Sequence, residues 1–192
     1  MDTMKVSLGP KTYASPNPVW VIGSYNPDGK PNIMTAAYCT SIHISPPLLI
    51  IALNPNSQTF KNIEERKAFT VNMPGAEHWR ETDYIGMVSG KDYDKFKEAN
   101  LTPIKAENVD APYVDEFPSN LECKLHDIIK IAGRVKVIGE IVDVKVDEDK
   151  LTDGKPDLLK LQSLVYCSGQ GTYNTPGELL GKAYANPKPP SR

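Results

Sequence analysis

The chain has 192 residues, enough for one domain with a substantial core. Its formal charge of -2 and pI near 5.9 hold no basic excess, which argues against a sequence-independent grip on nucleic acid. No apolar run approaches membrane-spanning length, and the opening MDTMKVSLGPK lacks the apolar stretch of a signal peptide, so no membrane partner is expected.

The segment VWVIGSY, Val19 to Tyr25, reads as a strand, and NPDGKPN after it carries turn chemistry. Pro27 presets φ, and Asp28-Gly29 supplies a hairpin corner. The stretch MTAAYCTSIHISPPLLIIAL, Met34 to Leu53, then returns as a second strand, and Pro46-Pro47 interrupt it before the buried run Leu48 to Leu53. Because Pro cannot donate to a ladder, the pair marks a sheet edge or corner. In NPNSQTFKNIEERKAF the period changes: Phe60, Ile63 and Lys67 fall on one helical stripe, with Ser57 as N-cap. FTVNMP is a further short strand. Residues 76 to 100 are charged and weakly helical, and read as an insert over one end of the sheet.

The pair SNLECKLHDIIKI and RVKVIGEIVDVKVDE has the strongest β pattern, with Ala132-Gly133 at its turn and Val135, Val137, Ile141, Val142, Val144 and Val146 along the second strand. LTDGKPD is another turn, LQSLVYCSG a last short strand, and the tail at 186–192 should be loose. Seventeen prolines, roughly twice the usual ~5%, fit this abundance of strands and turns. Six or seven strands in hairpin order predict a mainly β fold: a closed antiparallel Greek-key split β-barrel with short helical insertions, one domain over 1–192.

Several chemistries lack their motifs. There is no G-x-x-x-x-G-K-[ST], no G-x-G-x-x-G after a strand, no H-E-x-x-H and no C-x-x-C. His43, His78 and His126 sit in unrelated segments, so no metal is expected, and YCSGQG lacks the G-x-S-x-G pattern. Cys39, Cys123 and Cys167, odd in number and widely spaced, argue for a reducing, cytoplasmic setting rather than a disulfide framework. Hydroxyls are costly to bury without partners, so Thr35, Thr40, Ser41 and Ser45 either satisfy one another or line a polar pocket. Ser57 and Thr59 at a helix start form either a plain cap or an anion site, since free N–H groups and the macrodipole favour negative charge there.

GKPNIMTAAYCTSIHISPPLLIIAL, followed by SQTFKNI and FTVNMP, resembles the flavin reductase-like family and, within it, the flavoredoxin group. GKDYDKFKEANLT, LECKL, VIGEIVDVKVDE and TYNTPGELLGKAY are similar to that group in order and spacing, over about residues 13 to 185. The resemblance implies an FMN-binding split barrel, a homodimer with the flavin near the subunit interface. It makes Asn32, Thr35, Tyr38, Cys39 and Thr40 ring and ribityl contacts, Ser57 and Thr59 phosphate ligands, Lys95 a lysine approaching the flavin, and Tyr166 an aromatic near the ring.

Blander readings stand beside these. Thr35 and Thr40 fit ordinary strand threonines, Tyr38 a core aromatic, Cys39 a small buried apolar residue and Lys95 a solvated helix lysine. Trp20 reads as core and Trp79 as surface packing. His126 either reaches the flavin across a dimer or caps a strand end. Related reductases carry Gly-Asp-His after the LEC segment, where this chain reads LHDIIKIAGRV. The implied function is a redox protein moving electrons through FMN from NAD(P)H, as an enzyme, or from an electron-transfer protein. Its alternative is a non-enzymatic carrier or a flavin- or haem-binding module. Oxidation of a pyridoxal-type amine ranks lower, because no basic cluster is placed to hold a second phosphate.

Overall fold

The structure, a computed structural model, describes residues 3–184, so the tail expected to be loose at 186–192 lies outside the described residues. Its first half holds β1 (Asn17–Pro18), β2 (Trp20–Tyr25), β3 (Pro31–Ala36), β4 (Cys39–Ile44), β5 (Pro47–Leu53), α1 (Gln58–Arg66) and β6 (Ala68–Met73). Helices α2 (Trp79–Met87) and α3 (Lys95–Glu98) follow, then the short β7 (Pro103–Lys105) and β8 (Pro112–Val114). The long hairpin is β9 (Ser119–Ile131) with β10 (Arg134–Val146). After it come β11 (Leu151–Thr152), β12 (Lys155–Pro156), α4 (Leu158–Leu161), β13 (Val165–Cys167) and β14 (Thr172–Asn174).

Seven strands form the main sheet, antiparallel throughout, in the order β3-β2-β6-β9-β10-β5-β4. The fold is mainly β with short helices. The ladder is open, however: β3 and β4 end it and do not pair with each other, so the closed barrel expected from the sequence is not met. The reason lies at Ala37-Tyr38. Met34 to Ser45 is not one strand; the backbone breaks there, leaving β3 on β2 and sending β4 to β5. Pro46 lies in the β4–β5 turn, where Ile44 faces Pro47 at the sheet edge.

Though unclosed, the sheet wraps a core. Trp20, Ala36, Cys39, Leu49, Phe69, Cys123 and Val137 come from both ends and the middle of the ladder yet share one buried cluster, which Phe60 of α1 joins. On the other face Val21 and Ile33 pack with Ile85, Phe96 and Phe117, so the 76–100 insert covers β2 and β3. Trp20 is core; Trp79 lies at the surface with the Arg80 guanidinium 4.7 Å from its ring centroid.

Local chemistry sets the elements near the site. Ser57 caps α1 by accepting from the Phe60 N–H at 3.2 Å. Phe60 and Ile63 are buried as their spacing predicts. Lys67 leaves that stripe: it is the exposed, left-handed C-cap at φ 57°, because the helix must stop for β6 to begin one residue later. Thr59 and Asn62 take buried positions instead. In β9 the fully buried Glu122 is satisfied by the amides of Glu107 (3.2 Å) and Asn108 (2.6 Å), with Lys145 Nζ at 3.5 Å.

Gly23 marks the tightest point of β2. A Cβ there would overlap the Pro112 carbonyl oxygen and Thr70 Oγ1, where β8 crosses the sheet. Gly23→Ala is therefore expected to cost about 1–3 kcal/mol in denaturant unfolding, as overpacking of a rigid site does. An unchanged unfolding midpoint would mean that β8 yields freely.

Candidate functional site

A cavity of about 290 Å³ opens between the start of α1, strand β3 and the 86–91 segment, which runs from the last residues of α2. Asn32, Ser57, Thr59 and Lys95 all line it, although they come from three separate stretches of the chain. The Thr59 side chain is buried, and its hydroxyl accepts from Asn32 Nδ2 at 2.9 Å. That leaves the hydroxyl proton to donate, and it meets no protein acceptor among the described residues. The free N–H groups of the first turn of α1 add further donors at this end.

Lys95 is the decisive group. Its side chain is only 4% exposed, which overturns the solvated-lysine reading. Asp94, its neighbour, caps α3 through the Lys97 amide and pairs with Lys30 at 3.1 Å, so that carboxylate is engaged elsewhere. Lys95 Nζ donates to the Ile85 carbonyl at 2.7 Å, in the last turn of α2, and has no carboxylate partner among the described residues. Burial pushes its pKa down to about 8. A nearly buried cation without a counter-charge, facing a cavity rich in N–H and O–H donors, is an arrangement suited to an anion.

The other predicted residues lie apart from this cluster. Thr35 donates its hydroxyl to the Thr82 carbonyl at 2.6 Å and lies between β3 and α2, lining neither this cavity nor the next. Tyr38, Cys39 and Thr40 line a second cavity of about 380 Å³, with Pro16, Ile50, Ala52 and Lys136. Tyr38 is 53% exposed, so it is not a core aromatic. Cys39 is buried in the core, its thiol against the carbonyls of Ala36 (3.6 Å) and Pro18 (3.7 Å), and burial pushes its pKa up to about 12. It is a protonated, small apolar residue, as the blander reading held.

Tyr166 sits on β13 opposite Asn17, its ring 6.0 Å from that of Tyr173, and lines neither cavity. His126 is exposed within β9 rather than at a strand end, and also lines neither. A larger cavity, about 460 Å³, lies between α2 and β14 against Trp79, Asp83 and Tyr173, and contains none of the nine predicted residues.

The first two cavities are neighbours. Ala52 of the second and Asn54 of the first are two residues apart where β5 ends, about 7 Å at the rise of a strand. Sequence reasoning missed the 86–91 segment, where Ser89, Gly90 and Lys91 complete the first cavity. Gly-Lys and Ser-Gly pairs in a charged insert look like ordinary turns, and nothing local marks them as wall. It also missed Lys136, one lysine in an alternating strand.

A family model described as "Flavin reductase like domain" matches residues 12–173. The structure superposes on the flavoredoxin of Desulfovibrio vulgaris (Miyazaki F) with a TM-score of 0.92 at 42% identity, over 96% of this chain and 100% of that one. A split-barrel-domain protein from Shewanella frigidimarina NCIMB 400 gives a TM-score of 0.80 at 28% identity, over 88% of this chain and 86% of that one. A flavin reductase (NADH) of Kitasatospora aureofaciens is 28% identical over 130 residues, 67% of this chain and 65% of that protein. The family match spans most of the length, and the split-barrel-domain protein superposes over most of both chains: this chain belongs to the flavin reductase-like domain family.

Proposed function

We propose that this protein is a single FMN-binding redox domain that moves electrons through its flavin from NAD(P)H or from an electron-transfer protein. The observation that carries the proposal is the convergence of Asn32, Ser57, Thr59 and Lys95 on one cavity at the start of α1. A phosphate of nearly two charges needs N–H and O–H donors and a cation, and this end supplies all three. The ribityl chain and flat ring need length beyond it, with hydroxyl and apolar walls. The adjoining cavity of Tyr38, Thr40, Ile50 and Ala52 offers these one strand-step away.

When bound, the flavin supplies reversible two-electron chemistry. The chain's own part is to anchor the phosphate, wall the ring and set its electrostatics. The name of one relative, a flavin reductase (NADH), supports a nicotinamide donor, and that of the flavoredoxin supports a flavin-linked redox role. The segment LHDIIKIAGRV, standing where related reductases carry Gly-Asp-His, favours the protein donor.

A homodimer belongs to the same reading. Ile42 (45% exposed), Ile44 (92%), Ile129 (44%) and Ile131 (57%) leave apolar surface uncovered on β4 and at the end of β9. A monomer by light scattering with FMN bound would remove the shared interface. The three free thiols support a reducing, cytoplasmic setting.

The test is the visible spectrum of the purified protein before and after anaerobic NADH or NADPH. A flavin spectrum that bleaches rapidly makes this a nicotinamide-dependent reductase; one that persists with both nucleotides makes it a carrier with a protein donor. No flavin spectrum after FMN is supplied overturns the proposal. A second check uses Gly90, whose Cβ would overlap Asn32 Oδ1. Gly90→Ala is expected to dislodge the Asn32–Thr59 bond and weaken FMN binding by about 1–3 kcal/mol by isothermal titration. Native affinity would separate Asn32 from the cofactor.

A further inference from the structure

The second cavity holds a cation that the phosphate end does not need. Among the described residues, Lys136 is the only charged one lining it. On β10 it faces Ala52 of β5 on one side and Ile129 of β9 on the other, so its flanking partners across the sheet are apolar. It is half-buried and makes no ion pair among the described residues. Asp127 stands one outward position further along β9, opposite Ile138, and its Oδ1 is taken by the Ile128 amide at 2.7 Å. An ammonium on an apolar face, once covered by a ring, loses water and needs an acceptor in exchange.

On the FMN reading, Lys95, with the exposed Lys91 beside it in the first cavity, and Lys136 in the second serve opposite ends of the cofactor. Lys95 lies with Ser57 and Thr59, and Lys136 lies with Tyr38 and Thr40, one strand-step along β5. We infer that Lys136, and not Lys95, tunes the flavin's reduction potential, its ammonium meeting the ring edge where charge collects on reduction. Two electrons and one proton delivered to the ring from NAD(P)H or a protein donor leave one net negative charge on it. A cation at that edge favours the reduced form over the neutral oxidised one, which raises the potential. Lys95 instead favours FMN over riboflavin, because only FMN carries the phosphate.

The experiment measures two quantities in the native chain, Lys136→Gln, Lys136→Arg and Lys95→Met. One is the midpoint potential of bound FMN by anaerobic spectroelectrochemistry; the other is the ratio of FMN to riboflavin affinity. Lys136→Gln is expected to disfavour reduced against oxidised flavin by about tenfold, a fall of about 30 mV for a two-electron couple. Its FMN-to-riboflavin ratio should stay native, and Lys136→Arg should keep the native potential. Lys95→Met should do the reverse, losing the ratio and keeping the potential of whatever FMN it binds. An unmoved potential in Lys136→Gln, or a loss of its FMN-to-riboflavin preference, overturns the inference while leaving the FMN reading intact. A native chain that binds neither flavin overturns both.

Discussion

Lys95→Met is expected to weaken FMN binding by about 2 kcal/mol, roughly thirtyfold, the scale of a lost hydrogen bond to a charged group. It should also abolish a pH dependence. In the free protein the buried ammonium has a pKa lowered to about 8 by desolvation. A bound phosphate favours the charged form and so raises that pKa. Between the free and the bound value the complex holds more protons than the free protein, so native affinity should fall as pH rises above about 8, by up to tenfold per unit. Below about 8 both states are charged, and this contribution is flat.

The same burial sets a stability prediction. In the unfolded chain Lys95 titrates near its ordinary value of 10.5. The unfolded state therefore binds more protons between about 8 and 10.5, and native stability without flavin should rise over that window by about 3 kcal/mol. Urea unfolding of the flavin-free protein at several pH values reads this directly. If native and Lys95→Met chains follow the same profile, the ammonium is not held desolvated, and the anion-site reading of the first cavity fails with it.

Thr59→Ala carries the second large effect. The Thr59 hydroxyl is buried and already accepts from Asn32 Nδ2 at 2.9 Å, so its own proton points to a ligand role. Removing it takes one donor from the phosphate end and strands the Asn32 amide. FMN affinity should fall by about 1–3 kcal/mol, riboflavin affinity should barely change, and Thr59→Ser should restore FMN binding. An unmoved FMN affinity takes Thr59 out of the site. Ser57 behaves differently: its Oγ already accepts the Phe60 amide. Ser57→Ala should therefore appear first as a loss of about 1 kcal/mol of stability, the cost of an N-cap.

Much of the fold was legible because its determinants are local. Asp28-Gly29 closes the β2–β3 loop, where Asn26 N–H meets the Lys30 carbonyl at 2.9 Å. Ala132 and Gly133 turn β9 into β10 with φ of 48° and 71°. Ser57 caps α1, and the apolar runs of β5 and of the first half of β10 supply strands in which alternate residues are buried. Each of these is fixed by a few neighbouring residues, through turn geometry, a single capping bond or the period of the side chains. The site was legible to the extent that hydroxyls and a lysine stood out in the segments that carry the family resemblance.

What the sequence determined by itself, then, is the set of strands, the turns between them, the α1 cap and the polar residues available for a flavin. Tertiary structure decided the rest. Nothing local shows that Ala37-Tyr38 breaks a long strand, because that break depends on β4 finding β5 rather than β2. Nothing near Lys95 in sequence announces that α2 will bury it through the Ile85 carbonyl, ten residues away. The Asn32–Thr59 bond joins groups 27 residues apart, and Lys136 meets Tyr38 and Thr40 only because β10 and β4 flank β5. Cavity membership and burial arise from contacts between distant segments, and it is burial that turns an ordinary lysine into an anion-seeking one.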